Sequence, residues 1–135
     1  MKPTCYPLAV LMLALAPMAG HCASRFMTVC DVFEHAERLN GEVVWISGVY
    51  VTGPTAQSGF TDYRCPSVRI SRSFAREPER EKVTAQFIDA TTYLYHYNVA
   101  LRLQARAIVL WNARLGAHIE IDRVYSFQPA PGDWW

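Results

Sequence analysis

Three features of the sequence predict a mainly β fold with two helices. Several short runs are rich in β-branched and aromatic residues, turn residues separate these runs, and two other segments repeat apolar residues at helical spacing. The predicted order is helix, three strands, helix, two strands. Five strands with a helix between the third and the fourth is the order of the OB-fold. We therefore expect a five-stranded OB-fold-like Greek-key barrel that is preceded by a short helix.

The first helix is predicted over residues 32–39. Asp31 is the expected N-cap, with Glu34 three residues later to complete a capping box. Apolar residues then recur at helical spacing, and an Asn-Gly pair follows as a helix stop.

Three strands are predicted to follow this helix. Residues 42–52 are apolar on both faces, which indicates a long covered strand, and Gly48 would permit a bulge or a sharp bend in it. Shorter strands are predicted at residues 60–65 and 67–71, separated by a proline.

The second helix is predicted over residues 79–97. Pro78 suits a first helical turn. Apolar residues then recur at intervals of three and four along one stripe, at Val83, Phe87, Ala90, Leu94 and Tyr97. The alternative is a strand at residues 91–99, where Thr and Tyr favour β structure.

A β-hairpin is predicted to end the domain. Residues 101–112 alternate in polarity and form the clearest strand of the chain. The partner strand is predicted at residues 117–127, with a bulge after Asp122-Arg123 because the alternation changes parity there. Residues 129–135 follow as a tail.

Length and composition fit one such domain and exclude several classes of protein. The chain has 135 residues, of which 51% are hydrophobic and 19% charged, so it is too apolar for an intrinsically disordered protein. Its 13 basic and 12 acidic side chains give a formal net charge of +1. A protein that binds nucleic acid mainly through phosphates usually has a strong excess of Lys and Arg. Nucleic acid is therefore an unfavoured partner.

Residues 1–23 have the pattern of a secretory signal peptide. Lys2 is followed by an uninterrupted apolar run at residues 8–16 and then by small residues up to Ala23. A membrane-spanning helix needs about 20 apolar residues, so the short run favours a cleaved leader over an anchor. Loss of Lys2 with the leader would leave 12 basic and 12 acidic side chains and a net charge of zero.

Two other ways of processing this segment stay open. Cleavage after Gly20 is an alternative to cleavage after Ala23. Cys22 is a candidate for lipidation, but the bulky His21 directly before it fits that processing poorly. We expect a periplasmic or secreted protein with residues 24–135 as a single domain and no transmembrane segment in its mature form.

Cysteine usage agrees with an oxidising compartment. If cleavage follows Ala23, Cys5 and Cys22 are removed and Cys30 and Cys65 remain as one pair. One pair in an exported protein suits a structural disulfide. A redox or metal role is the alternative, which the lack of a C-x-x-C motif and of a complete zinc-ligand set disfavours.

A family resemblance rests on short motifs between residues 28 and 71: Cys30-Asp31-Val32, Asn40-Gly41, Gly48-Val49-Tyr50 and Cys65-Pro66. In these motifs the chain resembles a group of small exported bacterial proteins of unknown function, with a looser similarity over residues 101–127. In general plan it is also similar to the periplasmic bacterial OB-fold family. The resemblance implies an OB-like barrel joined by a Cys30–Cys65 disulfide, and it implies no catalytic residues.

The sequence carries no signature of catalysis, metal binding or a cofactor. It contains no nucleophile elbow, P-loop or dinucleotide fingerprint. No two of its four histidines are spaced as metal ligands: His21, His35, His96 and His118. Glu120 and Asp122 share a face of the last strand and so form a candidate acid–base pair, but we expect both to be solvated. We therefore expect a protein that is not an enzyme and has no cofactor.

Aromatic residues are the main candidates for a binding surface. Trp45, Tyr50, Phe60 and Tyr63 fall on the first two strands, the part of an OB-fold that contacts ligands, and Arg64 is adjacent. Together they could stack on bases or sugars. The alternative is that these rings fill the core of a small barrel. Other aromatic candidates for a partner surface are Tyr93, Tyr95, Tyr97, Trp134 and Trp135.

Two functional hypotheses follow from the sequence. The first is an exported, non-enzymatic binding or interaction module of the bacterial cell envelope, with a protein, a peptide or a glycan as ligand. The second is an oligonucleotide-binding OB domain that uses the aromatic face and the basic stretch from Arg64 to Lys82. Salt should weaken oligonucleotide binding strongly and affect a glycan or protein contact little.

Overall fold

The computed structural model describes residues 26–55, 58–76, 81–93 and 96–135. The predicted leader and Cys22 therefore lie outside the described residues. The described residues form six strands and two helices: β1 (Met27–Thr28), α1 (Val29–Glu34), β2 (Val43–Thr52), β3 (Gly59–Thr61), β4 (Ser71–Phe74), α2 (Lys82–Tyr93), β5 (Val99–Asn112) and β6 (Gly116–Pro129).

A mainly β fold with two helices is thus confirmed, but the predicted number of five strands is wrong. The additional strand is β1, which has two residues and pairs in parallel with the middle of β2, Met27 opposite Ile46. Two residues are too few to show an alternating pattern. Their strand conformation depends on β2, which is about 20 residues away in the sequence.

Helix α1 begins earlier than predicted because Thr28, and not Asp31, is its N-cap. The Thr28 hydroxyl accepts a hydrogen bond from the Asp31 N–H at 3.1 Å, and the Asp31 carboxylate accepts one from the Thr28 N–H at 3.0 Å. Asp31 is therefore the third residue of a capping box. After Glu34 the chain continues in turns to Gly41, whose φ of +82° favours glycine.

The strands form one hydrogen-bonded sheet in the order β1-β2-β5-β6-β4, with β3 paired to β2. Strands β2, β5 and β6 are antiparallel, and β4 runs parallel to β6. Phe60 of β3 also exchanges two backbone hydrogen bonds of 2.9 Å with Ile70, directly before β4. The chain thereby connects β3 to the β4 end of the sheet.

The second and third predicted strands are displaced because a turn occupies residues 62–68. The Cys65 N–H donates to the Asp62 carbonyl and the Val68 N–H donates to the Cys65 carbonyl. These bonds end β3 at Thr61, so the chain becomes extended again only at Ile70.

Strand irregularities occur in the last hairpin and not at Gly48. The β5–β6 register shifts twice, opposite Asp122 and Tyr125, which confirms the predicted bulge. Gly48 instead pairs with Leu103 in unbroken register. A Cβ at residue 48 would lie 2.5 Å from the Thr61 carbonyl oxygen, so glycine is needed for close packing, and the predicted bulge is wrong at this position.

Helix α2 covers the inner face of the sheet. It is shorter than the predicted residues 79–97, and Leu94 and Tyr95 lie outside the described residues. Phe87 is fully buried, with ring centroids 5.1 Å from Tyr50 and 5.3 Å from Phe127. The Val124 N–H donates to the buried Thr84 hydroxyl at 3.0 Å and so attaches the helix to β6.

The Cys30–Cys65 disulfide is present, as predicted. It joins α1 to the turn after β3, across a sequence separation of 35 residues and a Cα–Cα distance of 6.0 Å. Such a bond is typical of proteins from oxidising compartments. Neither α1 nor α2 has the length and apolarity that a membrane-crossing helix requires, and the search covered the described residues alone.

Candidate functional site

A shallow cleft of about 340 Å³ lies on the outer face of β2, β5 and β6. Its floor is set by strand register. Ser47 of β2 is opposite Gln104 of β5, which is opposite Ser126 of β6. In the next row Val49, Arg102 and Gln128 are opposite one another. Because alternate residues of a strand point to one face, these two rows form a continuous surface, called here the polar cleft.

The polar cleft contains side chains that both donate and accept hydrogen bonds. The Ser126 hydroxyl donates to the Gln104 amide oxygen at 3.2 Å, which leaves the Gln104 amide N–H groups for other acceptors. Asp62 and Arg102 also line the cleft and carry opposite charges. The lining is therefore polar and, as a set, electrically neutral.

Tyr63 forms an aromatic wall at one end of the polar cleft. Its side chain is 46% exposed, and the Arg102 guanidinium carbon lies 5.9 Å from its ring centroid. Tyr63 packs edge to face on Trp134 at 4.7 Å, and its hydroxyl donates to the Pro131 carbonyl at 2.8 Å. These contacts with the C-terminal segment fix the orientation of the ring.

Trp45 occupies the row beyond the opposite end of the floor, two residues before Ser47. It is 42% exposed, and its indole N–H donates to the Tyr125 hydroxyl at 3.1 Å. Trp45 and Tyr63 are therefore the two exposed rings of the predicted set, and of these Tyr63 lines the polar cleft. Arg64 is exposed on the turn after β3, where its backbone N–H donates to the Asp62 side chain.

The other two predicted aromatic residues lie in the core. Phe60 is fully buried and Tyr50 is only 6% exposed. Trp45 and Tyr50 are five residues apart on one strand, an odd number, so they point to opposite faces of the sheet. The five predicted site residues consequently do not form a single surface.

Tyr50 instead lies beside a second cleft, of about 480 Å³, here called the Arg72 cleft. The Arg72 guanidinium carbon is 4.0 Å above the centroid of the Tyr50 ring, a cation–π contact. The remaining lining includes the hydroxyl-bearing residues Thr52, Ser58, Thr91 and Thr92, together with His96 and Phe74.

Burial shifts the ionisation of both members of this pair. It raises the pKa of the Tyr50 phenol above its ordinary 10.0, against the opposing effect of Arg72, because the phenolate would lose its water. Burial also lowers the pKa of the Arg72 guanidinium, and Tyr50 opposes that shift. The Tyr50–Arg72 pair is thus a cation on a neutral ring at physiological pH.

The shift at Tyr50 predicts a loss of stability in alkali. Because the folded-state pKa is raised, its contribution is complete below the unfolded pKa of 10.0 and is lost as pH rises through the folded pKa. We expect the free energy of unfolding, measured with urea, to fall above about pH 10, and to fall less in Tyr50→Phe. Equal pH dependence in both proteins would contradict this assignment.

The candidate acid–base pair has a structural partner. Arg106 donates two hydrogen bonds to Asp122, from Nε at 3.0 Å and from Nη2 at 2.9 Å. The Asp122 carboxylate is thus held in a bidentate ion pair with Arg106. Glu120 is half-buried on the same strand.

The three described histidines, His35, His96 and His118, lie in different parts of the fold. Within the described ranges, no group of three or more His, Cys, Asp and Glu is placed to hold a metal ion. His118 instead lies between two serines, with Nε2 2.8 Å from the Ser73 hydroxyl and Nδ1 3.0 Å from the Ser71 hydroxyl. His35 caps its own helix through the Asp31 carbonyl, and His96 lines the Arg72 cleft.

The other aromatic candidates differ in their surroundings. Trp134 is buried on the outer face of the sheet against Val49, Val51 and Ala100, so it closes that part of the surface. Trp135 is 58% exposed. Tyr93 and Tyr97 are exposed, and Tyr95 lies outside the described residues.

Sequence reasoning missed the polar floor of the first cleft and the half-buried arginine of the second. Ser47 was a usable signal, because it is a polar residue within a strand that is otherwise almost entirely apolar. Gln104 and Ser126 can be identified as site residues only from the strand register. The register places Gln104 opposite Ser47, 57 positions away in the sequence, and Ser126 opposite Gln104, 22 positions away. Arg72 appeared as one member of a basic stretch, and its packing on Tyr50 depends on tertiary structure.

Comparison of the chain with protein-family models, with curated proteins and with solved structures found no match.

Proposed function

We propose that the chain is an OB-fold-like barrel that serves as an exported, non-enzymatic binding module of the bacterial cell envelope, and that its ligand is a neutral glycan. The observation that carries this proposal is the polar cleft, where two cross-strand rows bring hydroxyl, amide and charged side chains, together with the apolar Val49, beside an exposed tyrosine ring. Sugars present hydroxyls that both donate and accept hydrogen bonds and apolar ring faces that stack on aromatic side chains.

Strand connectivity supports the barrel. Strand β2 pairs with both β3 and β5, and β4 is parallel to β6, with the second helix between β4 and β5. The Phe60–Ile70 bridge supplies the contact between β3 and the start of β4 that would complete a five-stranded barrel. Strand β1 would then be an addition outside that barrel.

A glycan fits the polar cleft better than an extended peptide. At the cleft, β2 pairs with β5 on one side and with β1 and β3 on the other, and β5 lies between β2 and β6, so these two strands offer no free backbone edge for an added strand. Among the described strands, β6 pairs with β5 alone at Ser126 and Gln128. Recognition on β2 and β5 therefore depends on side chains. The neutral balance of Asp62 and Arg102 likewise favours an uncharged ligand.

The oligonucleotide alternative draws less support from the basic stretch. Arg69 donates to the carbonyls of Pro66 and Trp134. Guanidinium groups bonded to backbone carbonyls in this way have fewer donors for phosphates. Arg64, Arg76 and Lys82 are the exposed cations of that stretch among the described residues.

Calorimetric titration of the purified protein with neutral tri- to hexasaccharides of glucose and of N-acetylglucosamine tests the proposal. We expect saturable binding that Tyr63→Ala weakens about tenfold or more, since aromatic stacking contributes about 1–3 kcal/mol. Tyr63→Phe keeps the ring and loses only the bond to Pro131, so it should bind nearly as well. Gln104→Ala should weaken binding about fivefold.

Phe33→Ala provides a matched control, because Phe33 is 52% exposed on α1 and does not line the polar cleft. It should bind like the unmodified protein. Saccharide binding that survives both Tyr63→Ala and Gln104→Ala would place the site elsewhere. Binding of neutral peptides, with no response to the saccharides, would contradict the proposed ligand class.

A further inference from the structure

The Arg72 cleft contains a positive charge that no acidic side chain among its described lining residues balances. Arg72 is half-buried, and no carboxylate is present among the described residues that line the cleft. Among the described residues, its guanidinium donates from Nη2 to the Val51 carbonyl at 3.1 Å and interacts with the Tyr50 side chain, and its Nε is buried without a hydrogen-bond partner. Burial of a charged group is costly unless it is paired, so this arrangement favours an added anion.

The surroundings of Arg72 also suit an anion-bearing molecule. The Tyr50 ring lies against one face of the guanidinium and holds it in place. Ser58 and Thr52 bring hydroxyls to the same cleft, and Phe74 adds apolar surface. A volume of about 480 Å³ is within the range of small-molecule sites and exceeds the size of an inorganic ion.

We propose that the Arg72 cleft binds a small organic ligand through one oxyanion group, a carboxylate or a phosphoryl group, which is held by the Arg72 guanidinium. This site is separate from the proposed glycan site, because the two clefts share no lining residue. A planar guanidinium with free N–H groups matches the oxygen spacing of both anions.

Nuclear magnetic resonance titration of the full protein tests this site. The probes are acetate and orthophosphate, each at constant ionic strength with chloride as reference. We expect saturable shifts of the Arg72 Nε–H resonance and of the Ser58 amide, with little response to chloride. Saturation by acetate alone assigns a carboxylate ligand and saturation by phosphate alone a phosphoryl ligand. Shifts that increase linearly, or equally with chloride, would overturn the proposal.

Substitutions at Arg72 and at Ser58 test where the anion binds, and the second remains informative if the first prevents folding. Arg72→Met should abolish saturable binding, and Arg72→Lys should weaken it about tenfold because the planar fork is lost. Ser58 is exposed, so Ser58→Asp is not expected to disturb folding. Its carboxylate should occupy the site and abolish anion binding even if Arg72→Met fails to fold. Undiminished binding in folded Ser58→Asp would overturn the proposal.

Reciprocal controls keep the two sites distinguishable. Arg102→Met changes the arginine of the polar cleft and should leave anion binding unchanged. Tyr63→Ala should also leave it unchanged, whatever its effect on saccharides. Loss of anion binding in Arg102→Met would place the anion at the polar cleft and overturn the assignment to Arg72.

Discussion

Replacement of Phe87 by alanine should lower the free energy of unfolding by about 3–5 kcal/mol. Phe87 is fully buried, and its ring contacts three other aromatic rings, those of Tyr50, Phe74 and Phe127. Its truncation would leave a cavity where α2 meets the sheet, which rigid strands on the other side cannot fill. Urea unfolding followed by near-ultraviolet circular dichroism measures the change.

Phe33→Ala is the matched control for this prediction. The same atoms are removed from a side chain that is 52% exposed, so the free energy of unfolding should change by no more than about 0.5 kcal/mol. Similar losses in the two variants would show that α2 does not pack on the sheet through Phe87.

Removal of the disulfide should cost about 4 kcal/mol of folding free energy. Cys30 and Cys65 close a loop with a sequence separation of 35 residues. In the chain-entropy description, a cross-link over a loop of that length lowers the entropy of the unfolded chain, and this raises the free energy of the unfolded state by about 4 kcal/mol. The Cys30→Ser/Cys65→Ser double variant and the reduced protein should have similar stabilities, since both lack the cross-link.

Intact-mass measurement after alkylation, with and without reductant, establishes whether the bond is present in the purified protein. Urea unfolding of oxidised and reduced samples then gives its contribution. Two alkylated thiols at Cys30 and Cys65 without reductant would contradict the structure. A stability difference below about 1 kcal/mol would show that the unfolded chain is already compact in this region.

Local patterns predicted the last hairpin well, because its two long strands alternate clearly and pair with near neighbours in the sequence. Even the bulge at Asp122 was visible as a change of parity in that alternation. The start of α1 was predicted wrongly for a local reason. Thr28 and Asp31 both belong to residue types that are good N-caps. Thr28 is the N-cap because the pairing of β1 with β2 ends at this residue and the helix begins directly after it.

The candidate sites depend much more on tertiary structure. Strand parity separates Trp45 from Tyr50 and is readable in the sequence, so the division of the predicted aromatic face was predictable. The polar floor required the register between three strands. The Tyr50–Arg72 contact required β4 to pair in parallel with β6, a pairing of distant segments that short patterns do not encode.

The salt dependence of affinity tests the proposed glycan-binding function most directly. Affinity is measured at about 50 mM and 500 mM salt for the best-binding neutral oligosaccharide and for a single-stranded oligonucleotide. The proposal predicts saccharide binding that changes less than about twofold between these conditions, with no saturable oligonucleotide binding. Oligonucleotide binding that collapses with salt, in a protein that binds no saccharide, would contradict it.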